Sequence, residues 1–77
     1  MKLRQIGSNQ TEVIIGNKTV LFSYETPVAA FINGQGFIQT EKKWSVTTSR
    51  HINKWLQSNN AEIIDIVSQE TLDELVK

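Results

Sequence analysis

Residues 12–22 read EVIIGNKTVLF, two apolar runs rich in β-branched side chains that flank the tripeptide Gly16-Asn17-Lys18. β-branched and aromatic side chains favour strands. Glycine and asparagine adopt the positive φ angles that a tight hairpin turn requires. This segment therefore predicts an antiparallel hairpin with strands at residues 12–15 and 19–24, and the rest of the fold is inferred outward from it.

Similar patterns on both sides of the hairpin extend the sheet. Residues 3–6 form a short alternation of apolar and polar side chains. Pro27 opens the apolar run 28–32, at a strand entrance where its missing N–H is tolerated. Residues 33–36 read NGQG, which predicts a second hairpin turn leading to a strand at residues 37–40. We therefore expect an antiparallel sheet of four to five strands.

After residue 40 the apolar period changes from that of a strand to that of a helix. Ile52, Trp55 and Leu56 recur at spacings of three and four, which predicts a helix over residues 47–57 with these side chains against the sheet. Thr47 is the expected N-cap, or Ser45 if the helix begins earlier. We expect this helix to pack across one face of the sheet.

The C-terminal segment predicts two short elements. Residues 62–67 read EIIDIV, a strand pattern, and Ser68 is placed to cap a short helix whose apolar side chains are Leu72, Leu75 and Val76. The predicted fold class is therefore α+β: an antiparallel sheet of four to five strands with one helix across a face, plus a short C-terminal strand and helix. We expect residues 1–77 to form a single small domain.

Composition limits the classes of protein to which the chain can belong. Its 77 residues suffice for one domain, and 39% apolar content with zero net charge argues against disorder. The absence of cysteine excludes disulfides and thiolate metal sites. No apolar run approaches the roughly 18 residues of a membrane span, and the first residues lack the pattern of a signal peptide. We therefore expect a cytoplasmic protein without a membrane partner.

The zero net charge conceals an uneven distribution. Residues 1–54 carry seven basic and three acidic side chains, a balance of about +4, whereas residues 55–77 have a balance of about −4. A local basic surface can bind anions even when the whole chain is neutral.

Catalytic chemistry has little support in the residue types. The one histidine, His51, has its nearest hydroxyls at Thr47, Thr48 and Ser49, which at the start of a helix are explained by capping. The carboxylates resemble a solvated surface, and one imidazole without thiolates is a poor basis for a metal site. We expect no catalytic residue, no metal, no cofactor and no enzymatic activity.

The segment from Lys42 to Lys54 is the most suggestive of binding. It combines basic side chains, an aromatic residue and a hydroxyl-rich helix start, which together can bind phosphate groups and stack on bases. The simpler interpretation is that Trp44 closes the core and that the basic residues are the solvated sides of a strand end and a helix. The candidate residues for nucleic acid or an anion are Lys42, Lys43, Trp44, Thr47, Thr48, Ser49, Arg50 and Lys54.

Two stretches also carry a resemblance. Residues 22–30 read FSYETPVAA and residues 45–56 read SVTTSRHINKWL. They resemble a group of small uncharacterised proteins of bacteriophages and other mobile elements, over roughly residues 19–56. The resemblance implies a phage-like origin and an intracellular protein that acts by binding, and it carries no established activity and no site residues.

Two functions are therefore expected as alternatives. The first is a non-enzymatic intracellular module that binds a partner protein, or itself, through an exposed strand edge or the aromatic surface around Tyr24 and Trp44. The second is a nucleic-acid-binding module that uses the basic helix and strand end.

Overall fold

The computed structural model describes residues 2–77, so Met1, the first residue of the predicted domain, lies outside the described residues. It confirms the α+β class and the antiparallel meander, but the sheet has six strands rather than four to five. The elements are β1 Lys2–Gly7, β2 Gln10–Ile15, β3 Lys18–Ser23, β4 Thr26–Ile32, β5 Gly36–Thr40, α1 Val46–Ser58, β6 Ile64–Val67 and α2 Gln69–Leu75.

The C-terminal strand belongs to the main sheet. The strands lie in the order in which they occur along the chain, with β1 to β5 antiparallel and β6 parallel to β5. A parallel neighbour needs a crossover connection, and α1 supplies it. The predicted C-terminal strand is therefore confirmed, and its pairing with β5 raises the strand count above the expected four to five. The pattern of residues 62–67 does not by itself show which strand they pair with.

The two helices cover opposite faces of the sheet. On one face, Leu72 of α2 packs against Val20, Ala30 and Ile38. On the other face, α1 contributes Ile52, Trp55 and Leu56, which pack against Leu21, Val28 and Ala29. Both sets of alternating side chains are thus buried, which explains why β3 reads as a continuous apolar run.

A bulge in β4 brings an additional side chain under α1. Leu21 pairs with Ala29 and the next residue, Phe22, pairs with Pro27, so Val28 is an extra residue in β4. Two residues of a bulged strand oppose one residue of its neighbour. Val28 and Ala29 consequently both pack in the core beneath α1, and Val28 lies near the end of β3.

The helix starts are fixed by serine caps. The Ser45 hydroxyl accepts the backbone N–H of Thr48, so α1 begins at Val46 and Thr47 lies inside it. Ser68 caps α2 as predicted, by accepting the N–H of Thr71. Within the described part of the chain, neither helix has the length and apolar character needed to span a bilayer.

Candidate functional site

A buried chain of hydrogen bonds joins the end of β3 to the first turns of α1. Ser23 Oγ lies 2.7 Å from His51 Nδ1 and 3.0 Å from Thr48 Oγ1. Ser45 Oγ donates to Thr48 Oγ1 at 3.2 Å. Ser23 is 2% exposed and Thr48 is 5% exposed, so these bonds form in the protein interior.

The donors in this chain can be assigned by counting hydrogens. A hydroxyl has one hydrogen to donate. Because Thr48 Oγ1 accepts from Ser45, its own hydrogen can point to Ser23 Oγ, and the Ser23 hydrogen then points to His51 Nδ1. In this assignment Nδ1 of His51 is the acceptor, so the tautomer that fits carries its hydrogen on Nε2.

The Ser23–His51 pair has the distance of a nucleophile and its base, but its surroundings do not favour that chemistry. Ser23 is almost completely buried. The adjacent N–H, that of Tyr24, donates to the Asn9 carbonyl at 2.7 Å and is therefore not free to stabilise an oxyanion. Among residues 2–77, no three His, Asp or Glu side chains are grouped to hold a metal ion. The pair is best explained as the polar contact that fastens α1 to the sheet.

Tyr24 stands next to this buried chain and is itself exposed. It occupies the first position of the two-residue turn between β3 and β4, with a φ of 59°. Positive φ is strained for a bulky side chain and is usually adopted by glycine or asparagine. Tyr24 is 53% exposed, and the centroid of its ring lies 6.0 Å from that of His51.

Trp44 approaches the same region from the segment before α1. Trp44 is 42% exposed, and its indole N–H donates to Gln69 Oε1 at 3.1 Å. Gln69 in turn donates to the Pro27 carbonyl at 2.6 Å, which attaches this arrangement to β4. Lys42 Nζ lies 4.1 Å from the centre of the Trp44 ring, at the distance of a cation–π contact.

Together these residues form a small cleft, which we call the aromatic cleft. Its volume is about 200 Å³. The buried side chains of Ser23, Val28 and Thr48 form its base, and exposed residues, including both aromatic rings, form its rim. It is lined by Ser23, Tyr24, Thr26, Val28, Trp44, Ser45 and Thr48. The two residues predicted for protein interaction, Tyr24 and Trp44, thus lie in one site.

The residues predicted for nucleic acid are divided among several places. Lys42, Lys43 and Ser49 line a second cavity of about 280 Å³ together with Glu41. Lys54 lines a different cavity on the β1–β2 side of α1. Thr47 and Arg50 are exposed on α1, whereas Trp44 and Thr48 belong to the aromatic cleft. The eight residues therefore do not line one common cavity.

Three residues of this region were missed in the sequence. Ser23 is separated from His51 by 28 positions, and the two residues form a hydrogen bond only because α1 packs against β3. Val28 reaches the cleft because of the β4 bulge, and Gln69 reaches Trp44 from the start of α2. Only the short run Ser23-Tyr24 before Glu25 offered a local signal, since a polar turn follows an apolar strand there.

Comparison with known proteins gives one family match. A family model described as a family of unknown function, DUF8033, matches residues 1–74. No curated protein and no solved structure matches the chain.

Proposed function

The chain belongs to DUF8033, a family of unknown function, and we propose that it is a protein-interaction module. The binding site in this proposal is the aromatic cleft. The observation that carries it is the presence of two exposed aromatic rings, Tyr24 and Trp44, over a base of buried side chains. Tyrosine and tryptophan are the residues most enriched among those that dominate binding energy at protein interfaces.

Before any partner binds, the side chain of Trp44 and the main chain of Tyr24 are each held by a hydrogen bond. The Trp44 indole is bonded to Gln69, and the Tyr24 main chain is bonded to Asn9. Ordering a flexible side chain on binding costs about 0.5–1.5 kcal/mol, so the Trp44 ring, which Gln69 already holds, binds with a smaller loss of entropy. This geometry supports recognition by a rigid surface.

The strain at Tyr24 also supports a role for its side chain. Glycine or asparagine would occupy the same turn position at a lower conformational cost, about 1 kcal/mol less. Strained backbone positions cluster at functional sites. The exposed Tyr24 ring offers a reason for the strain, since it forms part of the rim of the cleft.

The size of the cleft favours one side chain of a partner over a free small molecule. Sites for small molecules and cofactors usually occupy about 300–1,000 Å³, whereas this cleft has about 200 Å³. Its base combines the apolar Val28 with the hydroxyls of Ser23 and Thr48, which already bond to one another. An apolar side chain that inserts between the rings is therefore the occupant that fits best.

A displayed library of random peptides tests the proposal directly. Peptides selected on the wild-type protein should share an apolar anchor and lose about tenfold or more in affinity when Trp44→Ala or Tyr24→Asn is introduced. Val46→Ala is the matched control, because Val46 is 71% exposed beside the cleft but does not line it. Selection of peptides that bind both cleft variants as tightly as the wild type would reject the proposal.

Nucleic-acid binding is the second candidate, and one observation favours it. Lys42 and Lys43 line one cavity with Ser49 of α1, a combination that can contact phosphate. Against it, Lys42 lies over the Trp44 ring on which a base would stack. Fluorescence anisotropy of labelled single- and double-stranded DNA and RNA at two salt concentrations separates the two functions. Salt-dependent binding that is weakened by Lys43→Ala with Arg50→Ala would establish the second candidate in place of the first.

The proposals for the origin and compartment of the protein are supported by the sequence alone. The resemblance of roughly residues 19–56 supports a bacteriophage or mobile-element origin. A cytoplasmic, non-enzymatic role is the proposal that accords with the composition and with a binding function.

A further inference from the structure

The two edge strands of the sheet form a second candidate interaction surface. β1 and β6 are the terminal strands of the six-stranded sheet, so within residues 2–77 each has one side without a neighbouring strand. Each carries an exposed apolar residue: Leu3 is 64% exposed and Ile66 is 65% exposed. Open edges of this kind are templates for pairing with another chain.

The charges on the two edges are opposite. β1 carries the exposed Lys2 and Arg4, whereas β6 carries the exposed Asp65 and follows the exposed Glu62. Among residues 2–77, neither Arg4 nor Asp65 forms an ion pair within 4.0 Å. Pairing of two β1 edges would oppose basic residues, and pairing of two β6 edges would oppose acidic ones. Only a β1 edge against a β6 edge joins opposite charges.

The main chain of β6 presents its residues 64 and 66 to the open side. The Val67 carbonyl accepts the N–H of Glu41 at 2.7 Å, so Val67 points its hydrogen-bonding groups toward β5. Successive strand residues point these groups to alternate sides. Ile66 and Ile64 therefore direct their N–H and C=O groups outward.

The same reasoning places the main-chain groups of Leu3 on the open side of β1. The Tyr24 N–H donates to the Asn9 carbonyl at the open end of the β2–β3 hairpin. Hydrogen-bonded and non-hydrogen-bonded pairs alternate along an antiparallel ladder, so the next pair, Gln10 with Ser23, has no mutual hydrogen bonds. Alternation along β2 then directs Glu12 toward β1, where it forms a hydrogen-bonded pair with Arg4. Leu3, one position earlier, directs its N–H and C=O groups outward.

The faces of the sheet determine how a second copy can fit. Leu3 lies in register with Val13 on the face covered by α2, and Ile66 lies in register with Gln39 on the face covered by α1. Consider a second copy rotated by 180° about an axis that lies in the sheet plane, perpendicular to the strands. This rotation exchanges the two faces of the second copy, so its Leu3 lies on the same side of the joined sheet as Ile66 of the first copy. Its β1 then runs antiparallel to β6, which is the more stable direction.

In that arrangement a single register satisfies the main-chain hydrogen bonds, the apolar contact and the opposite charges together. Leu3 pairs with Ile66 through main-chain hydrogen bonds, and the next pair is Arg4 with Asp65. Arg4 lies on the α1 face and Asp65, in register with Ile38, lies on the α2 face, so the turned-over copy places these charges together. We infer that this chain associates with a second copy of itself by pairing β1 of one copy with β6 of the other.

After one such contact the pair of copies retains one free β6, on the copy that contributed β1, and one free β1, on the copy that contributed β6. The interface is thus heterologous, and it repeats from copy to copy so that the sheet lengthens. It involves no residue of the aromatic cleft, so the failure of either proposal leaves the other intact.

Sedimentation velocity in low-salt buffer, from low to high micromolar protein, tests the inference. The wild type should form concentration-dependent species that dissociate when salt is raised, because exposed charges are screened. Arg4→Glu and Asp65→Lys should each weaken association about tenfold, since a cross-strand attraction becomes a repulsion. Arg50→Glu changes the net charge as Arg4→Glu does but lies off both edges, and it should associate like the wild type.

Mixing the two charge variants gives the sharpest result. Each variant alone should associate about tenfold more weakly than the wild type, but the mixture restores opposite charges at every contact and should assemble like the wild type. Leu3→Ser should weaken association without a change of charge. Circular dichroism checks that each variant is folded. A wild type that stays monomeric throughout, Arg4→Glu that assembles like the wild type, or a mixture of folded variants that stays dissociated would overturn the inference.

Discussion

Ser23 Oγ at the end of β3 lies 2.7 Å from Nδ1 of His51 in the second turn of α1, and both residues are buried. Thr48 Oγ1, 3.0 Å from the same hydroxyl, closes the contact. α1 therefore rests on the sheet through an apolar part, formed by Ile52, Trp55 and Leu56, and a polar part at its N-terminal end. A directional polar contact fixes where the helix lies along the sheet, which apolar packing alone does not.

Ser23→Ala should lower the free energy of unfolding by about 1–3 kcal/mol, because it leaves the buried His51 nitrogen without its partner. Urea denaturation followed by circular dichroism measures the change. Ser49→Ala removes an exposed hydroxyl from the same helix and should alter stability by no more than about 0.5 kcal/mol. Equal stability of both variants would show that the buried hydrogen bond contributes nothing measurable.

The protonation of the ring provides a second check on the same contact. Since the hydroxyl chain ends by donating to Nδ1, neutral His51 should carry its hydrogen on Nε2. The chain contains a single histidine, so the ring nitrogens can be assigned by ¹⁵N NMR without ambiguity. Spectra at alkaline pH, where imidazole rings are neutral, should show the Nε2–H tautomer. The Nδ1–H tautomer would reverse the direction of the hydrogen bonds derived above.

Tyr24→Asn should leave the protein at least as stable as the wild type. Asn9→Ala is the comparison, because Asn9 has a similar positive φ in the turn between β1 and β2. Tyr24 has a φ of 59° and Asn9 a φ of 60°. Asparagine tolerates this conformation, so the first change relieves strain and should raise stability by up to about 1 kcal/mol, whereas alanine at Asn9 should lower it by about as much. Thermal unfolding measures both. A large loss for Tyr24→Asn would mean that the ring stabilises the fold, and the strain argument for a binding role would fail.

Local pattern sufficed for most of the elements. The hairpin at residues 12–22, the helix stripe of Ile52, Trp55 and Leu56 and the Ser68 cap are each encoded within a few neighbouring residues, and the structure contains all of them. The start of α1 was correctly predicted only by the alternative, in which Ser45 caps the helix. Thr47 was a reasonable expectation because threonine also caps helices, but nothing local distinguishes the two hydroxyls.

The site depends on contacts that local pattern does not contain. The β4 bulge shifts Val28 to the α1 side, and a one-residue shift in a strand reverses the faces of its side chains. The position of β6 beside β5 depends on where α1 carries the chain. Tyr24 and Trp44 were both predicted as interaction residues from their aromatic character, but their meeting in one cleft is a product of the tertiary fold.

Glu12→Ala should destabilise the fold by about 1–3 kcal/mol, because it removes the acceptor of the buried Trp55 indole. Trp55 Nε1 donates to Glu12 Oε1 at 2.7 Å, and this bond ties α1 to β2. Glu12→Gln keeps a side-chain oxygen at the same length and should lose less than half as much. Urea denaturation measures the stability of both variants. Equal losses for the two substitutions would mean that the charge of Glu12, rather than its ability to accept, is what matters.

Gln69→Ala tests whether α2 holds the aromatic cleft in its binding-competent form. Gln69 bonds both the Trp44 indole and the Pro27 carbonyl. Its loss should free the Trp44 ring while the core under Leu72 stays intact, so ¹⁹F NMR of 5-fluorotryptophan should show a changed Trp44 resonance and an unchanged Trp55 resonance.

Ordering the freed ring again on binding costs about 0.5–1.5 kcal/mol, so the affinity of a cleft-binding peptide should fall about two- to tenfold, with no contact to the peptide removed. Glu70→Ala, an exposed change at the next position of α2, should leave both the spectrum and the affinity as they are in the wild type. An altered Trp44 resonance with unchanged affinity would show that peptide binding does not depend on the hydrogen bond between Trp44 and Gln69. A loss of affinity that appears only with Gln69→Ala would establish that α2, on the opposite face of the sheet from α1, controls the cleft at which α1 begins.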